Sequence, residues 1–319
     1  MASDGNIFFG PSQIRIEGDM NIEQYERIRT GAGFIAALDQ SGGSTPKALA
    51  LFGVNESAYS NQEQMYLLMH QMRVRIMTSR VFTSERILAT ILFEMTMERL
   101  VEGLPTANYL WHRKGIVPFL KIDNGLAPRV NGVSLMKPIP ELVALLGRAN
   151  NSGIFGTKAR SVIYEANAAG ISACVDQQFE VAEQVLESDL VPIIEPEVDI
   201  KSAEKHQVEQ LLKNSLLEAL DALDSSHNVI LKLTLPDQAN YYCDLIQHPR
   251  VIRVSMLSGG YSQLQATTLL RQNTDVIASF SRALTEGLNT NQSEMEFEKV
   301  LGESIESIYQ ASVVKSCSE

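Results

Sequence analysis

The sequence predicts an α/β fold of the (β/α)8-barrel class in a single domain. Two observations support this prediction: short apolar runs recur eight times over about 250 residues, and helix-like segments lie between most of them. A third observation points to function, because Lys232 stands in the middle of the apolar run "HNVILKLTLPDQ". An isolated buried ammonium is costly unless its pKa falls or a partner is found.

The eight apolar runs are the predicted strands of the barrel. They occupy residues 33–43, 87–96, 116–125, 153–161, 189–198, 228–236, 251–260 and 275–284. Between them, residues 61–77 and 204–223 carry apolar residues near the 3.6-residue period of helices. A doubly wound open sheet is the alternative architecture. An open sheet of this kind requires a GxGxxG turn after the first strand, and "DQSGGS" does not match that motif.

The expected domain limits are residues 20–319 for the barrel and 1–19 for an N-terminal extension without a role in the fold. The extension lacks the apolar core of a secretory signal, and no run of about 18 apolar residues predicts a membrane span. The net charge of −11 argues against nucleic acid and anionic membranes as partners.

The cysteines and histidines indicate the cellular compartment and whether a metal site is expected. Three widely spaced cysteines are an odd set, typical of a reducing compartment, so we expect a cytoplasmic protein. The five histidines form no HExxH motif and no close pair. We therefore expect no metal site and no cofactor.

The alternation of side chains along a barrel strand determines which residues share the face of Lys232. If Lys232 points into the lumen, Ile230 and Thr234 do so too, and the odd-numbered residues from Val229 to Leu235 face the helices. The same phase places further charges inside the barrel, toward the C-terminal ends of their strands: Asp39, Lys121, Lys158, Arg160, Glu195 and Glu197, with Arg282 following on the last strand. That end is the catalytic end of a barrel. Each charge alone could be a strand-end ion reaching solvent, but six strands behaving alike favour an active site.

These charges indicate a cationic mouth that suits an anionic substrate, with phosphorylated sugars the leading candidates. Gly259 and Gly260 after the seventh strand let backbone N–H groups approach an oxyanion, and Ser281 and Arg282 follow the eighth strand. Barrels usually bind phosphate at this place.

Lysines beside carboxylates suggest imine chemistry. A lysine must be neutral to attack a carbonyl, and burial or a neighbouring cation lowers its pKa. Lys232 is our candidate nucleophile, with Lys158 or Lys121 as the cation. Glu195 and Glu197 are candidates for moving protons during dehydration and hydrolysis of the imine, and Asp39 for deprotonating a hydroxyl when a carbon–carbon bond breaks.

At this point the residues match a known family. From about residue 21 to about residue 314 the chain resembles the class I fructose-1,6-bisphosphate aldolases, most closely the short bacterial type. The resemblance rests on motifs in this order: "GFIAALDQSGGSTPKAL", "VPFLKID", "FGTKARS", "VPIIEPEV", "ILKLTLP", "LSGGYS" and "SFSRAL". It implies a lyase of glycolysis and gluconeogenesis. Such an enzyme reversibly cleaves fructose 1,6-bisphosphate to dihydroxyacetone phosphate and glyceraldehyde 3-phosphate.

The resemblance also implies roles for individual residues. Lys232 would form the Schiff base with dihydroxyacetone phosphate, and Glu195 would donate and accept protons with Glu197 and Lys158 beside it. Asp39 would act on the C4 hydroxyl. Lys121 would hold substrate hydroxyls. The implied contacts to the phosphate of dihydroxyacetone phosphate are Ser258, Gly259, Gly260, Ser281 and Arg282. The residues implied near the other phosphate are Ser41, Ser44 and Arg160. The animal-type enzymes have an arginine where this chain has Ala48, and Lys47 is the candidate substitute for it.

Other interpretations remain open on the sequence. A transaldolase is another Schiff-base barrel, but two phosphate-binding regions and the "EPE" strand favour the bisphosphate aldolase. Scattered histidines disfavour a zinc-dependent class II aldolase. A non-catalytic interaction scaffold predicts a damaged site, and none of the expected polar residues is missing. Animal-type class I aldolases are tetramers, so a homo-oligomer is a further expectation.

Overall fold

The computed structural model describes residues 21–316, and these residues form the barrel that the sequence predicts. The proposed extension of residues 1–19 and the end of the C-terminal tail lie outside the described residues. No helix within the described residues is both long and apolar enough to cross a membrane.

Eight parallel strands close the barrel, and each corresponds to one of the predicted apolar runs. They are β1 (Phe34–Ala37), β2 (Ile87–Phe93), β3 (Val117–Lys121), β4 (Gly156–Ile163), β5 (Val191–Val198), β6 (Val229–Thr234), β7 (Val251–Leu257) and β8 (Val276–Phe280). The strands pair in sequence order, β8 pairs with β1, and β3 pairs with both β2 and β4. The ring is therefore closed, and the open doubly wound sheet is wrong.

Helices lie between most of the strands, before the first strand and after the last. They are α1 (Ile22–Thr30), α2 (Thr45–Leu51), α3 (Gln62–Thr78), α4 (Glu94–Met97), α5 (Thr106–Asn108), α6 (Leu142–Asn151), α7 (Ala168–Leu186), α8 (Lys205–Ala222), α9 (Cys243–Ile246), α10 (Gln263–Arg271), α11 (Arg282–Thr285) and α12 (Glu294–Val313). The two segments with helical periodicity are α3 and α8. Helix α3 begins after Asn61, whose side chain accepts a hydrogen bond from the backbone N–H of Gln64.

Three further short strands lie outside the ring of eight in residues 21–316. Residues Leu100–Val101 and Leu104–Pro105 form an antiparallel hairpin after α4, and Val133–Ser134 pairs antiparallel with β4. The last of these belongs to the long connection from β3 to α6, which contributes residues to the cleft described below.

Two apolar layers confirm the predicted phase of the strands. The lumen holds one cluster, which includes Ile230, Ile193 and Phe119. A larger cluster lies between strands and helices, and it contains the odd-numbered residues from Val229 to Leu235. The lumen is therefore filled by side chains below the mouth, and polar groups on the same face have open space only at the carboxyl ends of the strands.

Gly156, the first residue of β4, tests how tightly the barrel wall is packed. A Cβ atom here would lie 2.1 Å from the carbonyl oxygen of Val191 on β5 and 2.6 Å from the Phe119 ring. We expect Gly156→Ala to lower the free energy of unfolding by about 1–3 kcal/mol, the usual result of overpacking a core. Urea denaturation followed by circular dichroism measures the change.

Gly147 in α6 provides the matched control, because a Cβ there meets nothing within 4 Å. Gly147→Ala should stabilise the protein by about 0.5–1 kcal/mol, since alanine is the better helix former. Equal effects of the two substitutions would contradict the packing argument.

Candidate active site

A polar cleft of about 690 Å³ opens at the carboxyl ends of the barrel strands. The sequence-predicted site residues line it, apart from Gly260. The lining set contains Asp39, Ser41, Ser44, Lys47, Lys121, Lys158, Arg160, Glu195, Glu197, Lys232, Ser258, Gly259, Ser281 and Arg282. Gly260 stands beside it, where a Cβ would lie 3.6 Å from Nη2 of Arg282. The structure thus brings together residues that are spread over the chain from the first strand to the last.

Lys232 reaches the cleft from the lumen face of β6. The residue is 4% exposed, so its ammonium is almost fully withdrawn from water. Its Nζ lies 2.9 Å from Oε1 of Glu195, which stands on the neighbouring strand β5. This carboxylate is the partner that the buried lysine requires.

Glu195 also serves a second lysine. Its Oε2 lies 2.9 Å from Nζ of Lys158, and the same Nζ lies 2.7 Å from Oδ2 of Asp39. All four of these side chains are buried. They form a continuous chain from β6 through β5 and β4 to the end of β1, in the order Lys232, Glu195, Lys158, Asp39.

The pKa values in this chain are set by burial and by opposite charges. Burial opposes ionisation of Glu195 and of Asp39, but the neighbouring lysines outweigh it and hold the pKa of each carboxyl below its usual range. Burial likewise opposes the charge of Lys158, but Asp39 and Glu195 outweigh it and raise the pKa of that ammonium. Near neutral pH, Lys158 is therefore a permanent cation between two carboxylates.

Asp123 is a member of the cluster that the site prediction left out. Its Oδ1 lies 2.7 Å from Nζ of Lys121, and its Oδ2 lies 3.9 Å from Nζ of Lys158 and accepts a hydrogen bond from the backbone N–H of Arg160. The sequence did carry a signal, because Asp123 shares the lumen face with Lys121. Burial lowers the pKa of Lys121, with Asp123 opposing this shift and Lys158 adding to it.

Arg160 and Glu197 form a separate pair toward the rim. Nη1 of Arg160 donates to Oε2 of Glu197 at 2.6 Å, and both side chains are partly exposed. Burial opposes the charge of Arg160, but Glu197 and Glu195 outweigh it and raise its pKa. Glu197 therefore pairs with arginine and does not share the two lysines that Glu195 contacts.

Charge is distributed unevenly between the buried and the exposed parts of the cleft. Seven basic side chains and four acidic side chains line it, an excess of three positive charges. Of the seven basic side chains that line the cleft, Lys47, Lys137 and Arg282 have no carboxylate partner among residues 21–316. Lys137 was missed from sequence, because it lies in the long connection after β3, outside any strand. These exposed cations are available to an anionic ligand.

The glycine pair after β7 has a conformation suited to binding an anion. Gly259 and Gly260 have φ angles of 57° and 115°, in the region that favours glycine. Ser258 is buried beside them, and Arg282 begins α11 across the gap. Ser258, Gly259, Gly260 and Arg282 are hereafter called the C1-phosphate edge, after the phosphate that the family resemblance implies for them. In the part of the chain that the structure covers, no group of three or more His, Cys, Asp and Glu side chains is arranged to hold a metal ion.

Buried lysines paired with carboxylates, in a closed (β/α)8 barrel beside a cationic edge, form the arrangement that a lysine-dependent enzyme for anionic substrates needs. A family model described as fructose-bisphosphate aldolase class-I matches residues 22–240. The chain belongs to the class I fructose-bisphosphate aldolase family, whose members cleave fructose 1,6-bisphosphate through a lysine Schiff base. The sequence-based predictions of fold, family and enzyme class are confirmed.

Individual relatives agree with this membership. The chain is 59% identical over 293 residues to the fructose-bisphosphate aldolase class 1 of Synechocystis sp., covering 92% of this chain and 98% of that protein. Among solved structures, it resembles fructose-bisphosphate aldolase from Plasmodium falciparum, determined in complex with TRAP and a small-molecule inhibitor. That match has a TM-score of 0.68 and 20% identity, and covers 94% of this chain and 97% of the other. At that identity the likeness shows the fold alone.

Proposed function

We propose that the protein catalyses the reversible cleavage of fructose 1,6-bisphosphate and that Lys232 is the Schiff-base lysine. One observation carries the choice of lysine. Lys158 has three carboxylates within 4 Å, whereas Lys232 has Glu195 alone and shares it with Lys158. Of these two buried lysines, Lys158 is the one whose carboxylates raise its pKa, so we assign it the role of the fixed cation and Lys232 that of the nucleophile.

Lys121 is a less suitable nucleophile because its amine is occupied. Its Nζ donates to the backbone carbonyl of Asp123 at 2.6 Å and to the Asp123 carboxylate at 2.7 Å. These bonds hold the amine at the side of the cleft. They suit the role of binding substrate hydroxyls.

The proposed reaction starts when Glu195 accepts a proton from Lys232, and the neutral Nζ then attacks the C2 carbonyl of the substrate. Glu195 delivers the proton that allows water to leave, and an iminium remains on Lys232. Asp39 then takes the proton of the C4 hydroxyl as the C3–C4 bond breaks, and the electron pair of that bond neutralises the iminium to an enamine. Glyceraldehyde 3-phosphate departs. Protonation of the enamine and hydrolysis release dihydroxyacetone phosphate and restore Lys232.

Glu195 and Asp39 stand where this division of labour needs them. Glu195 contacts Lys232 directly and can exchange protons with the groups formed on it. Asp39 lies on the opposite side of Lys158, which keeps it ionised and thus able to accept a proton. Glu197 would assist from the rim through its pair with Arg160.

The exposed cations support recognition of two phosphates. Arg282 and the glycine pair would bind the C1 phosphate. Ser41, Ser44, Lys47 and Arg160 would lie near the C6 phosphate, and we add Lys137 to this set because it is a cation without a carboxylate partner in the described chain. Two such regions favour a bisphosphate over the monophosphates that a transaldolase handles, and the intact cluster argues against a non-catalytic scaffold.

The proposals on location and assembly rest on cysteine usage and on the family resemblance. The odd, scattered cysteines support a cytoplasmic enzyme, and Cys174 is a free, buried thiol. The resemblance to animal-type tetramers supports a homo-oligomer. The net charge of −11 gives no support to a nucleic-acid partner.

Covalent trapping tests the role of Lys232. Borohydride reduces an iminium and leaves a free amine untouched, so it should inactivate the enzyme only when ketose phosphate is present. Peptide mapping should find the reduced adduct on Lys232. Lys232→Ala should remain unlabelled under the same conditions. Label on Lys121 or Lys158 in the wild-type enzyme would contradict the assignment.

Replacing Glu195 by Gln tests the proton shuttle. The amide keeps the shape of the side chain but cannot exchange protons, and general acid–base groups contribute about 10²–10⁴-fold. We expect kcat to fall by about that factor while a competitive ligand binds with nearly unchanged affinity. Stopped-flow turnover and isothermal titration measure the two quantities. Turnover near that of the wild type would refute the role.

Arg282→Ala tests the C1-phosphate edge. A charge-assisted hydrogen bond is worth roughly 1.5–3 kcal/mol, so KM for fructose 1,6-bisphosphate should rise by about one to two decades. The penalty should shrink for fructose 6-phosphate, which lacks the C1 phosphate. Lys47→Ala is the matched control, because a residue near the C6 phosphate should affect both substrates alike. Equal losses on both substrates for Arg282→Ala would mean that the residue supports the site as a whole.

A further inference from the structure

Arg73 is a buried cation that the proposed mechanism does not use. It lies on α3 and is 1% exposed, the bulkiest of the fully buried side chains. None of the carboxylates between residues 21 and 316 lies within 4 Å of its guanidinium, as the ion pairs of those residues show. Nη1 donates to Oγ1 of Thr96 at 2.7 Å, Nη2 donates to the backbone carbonyl of Gln40, and Nε has no acceptor.

Such an arrangement is unfavourable for stability alone. Burying a guanidinium without a carboxylate is expensive, and an apolar side chain of similar volume would fill the same space without that penalty. Burial lowers the pKa of Arg73 to about 10, with the Asp39 carboxylate opposing the shift, so the group stays charged near neutral pH. A charged guanidinium buried at this free-energy penalty points to a role for Arg73 beyond packing.

The contacts of Arg73 show what it holds. Gln40 directly follows Asp39, so the bond to its carbonyl restrains the backbone that presents the Asp39 carboxylate to Lys158. The side chain of Gln40 continues the connection, because its Nε2 donates to Oγ of Ser281 at 2.7 Å. Ser281 immediately precedes Arg282 at the C1-phosphate edge. One path therefore joins α3, the end of β1 and the start of α11.

We propose that Arg73 is a positioning residue that holds Asp39 in place for carbon–carbon bond cleavage and, through Gln40, ties Asp39 to the C1-phosphate edge. This inference rests on the proposed role of Asp39. It predicts a split between the two halves of the reaction, because only cleavage needs Asp39, whereas imine formation needs Lys232 and Glu195.

Arg73→Met removes the charge and both hydrogen bonds but keeps a long apolar side chain. A displacement of about 1 Å at a reacting group can reduce a rate by about 10²-fold. We expect kcat for fructose 1,6-bisphosphate cleavage to fall by about 10- to 100-fold. The rate of borohydride trapping with dihydroxyacetone phosphate should stay within about threefold of wild type on the same scale. A merely structural role would lower both rates together, and that result would overturn the proposal, as would wild-type cleavage.

A second variant covers the case in which Arg73→Met does not fold. Thr96→Val is nearly isosteric and removes a single acceptor of Arg73, so the same split should appear with a smaller loss of cleavage. Thr96→Val cleaving at the wild-type rate would then overturn the proposal.

The hydrogen bond from Gln40 to Ser281 is tested separately. Gln40→Leu keeps the backbone carbonyl that Arg73 binds and removes the bond to Ser281. It should raise KM for fructose 1,6-bisphosphate more than KM for fructose 6-phosphate, with kcat within about threefold of wild type. A KM change of equal size on both substrates would overturn the link to the C1-phosphate edge.

Asp39→Asn separates failure of this inference from failure of the proposed function. It should show the same split, with cleavage lost and trapping retained. Normal cleavage by Asp39→Asn would mean that the assigned role of Asp39 is wrong. A split in Asp39→Asn without one in the Arg73 and Thr96 variants would refute the positioning role alone.

Discussion

The site depends on one carboxylate that two buried ammonium groups share. Glu195 places one oxygen 2.9 Å from Lys232 and the other 2.9 Å from Lys158. Without it, Lys232 would be a buried charge with no counter-ion among the described residues, and Lys158 would keep Asp39 as its close partner. The same carboxylate that makes the buried lysine tolerable is thus placed to move protons to and from it. Stability and proposed chemistry here rest on the same contact.

The register of the barrel makes this contact unavoidable once the side-chain phase is set. Ile193 of β5 pairs with Ile230 of β6, and two residues further along each strand stand Glu195 and Lys232. On the other side Arg160 of β4 pairs with Glu195. Because the strands are parallel and their side chains alternate inward and outward, residues two apart lie on the same face, the later one nearer to the mouth. The apolar residues below fill the lumen, so the charged residues above them meet at its top.

This regularity explains how much could be predicted from sequence. Strand number, closure and the inward set follow from a two-residue period, which is local information. The two-residue period puts Asp123 on one face with Lys121. Its contact with Lys158 depends on β3 pairing with β4, which no local pattern shows. The place of Lys137 in the cleft depends on the course of a long connection. Arg73 lies within a helix whose periodicity says nothing about a hydrogen bond to a carbonyl on another element. The misses are long-range contacts made by residues outside the strands.

The distribution of charge then divides the cleft by depth. In the buried layer, Lys121, Lys158 and Lys232 are matched by Asp39, Asp123 and Glu195, so the layer is balanced. Because the charges in this layer are balanced, no group of like charges is left unopposed in a low-dielectric space. The excess positive charge is confined to exposed side chains nearer to solvent, where an unpaired cation is tolerated and where a phosphate dianion would arrive still partly hydrated. Arg73 is the exception, a buried cation beneath the first loop with neutral acceptors alone. It donates to the backbone carbonyl of Gln40, in line with the proposed positioning role, whereas each buried lysine is paired with a carboxylate.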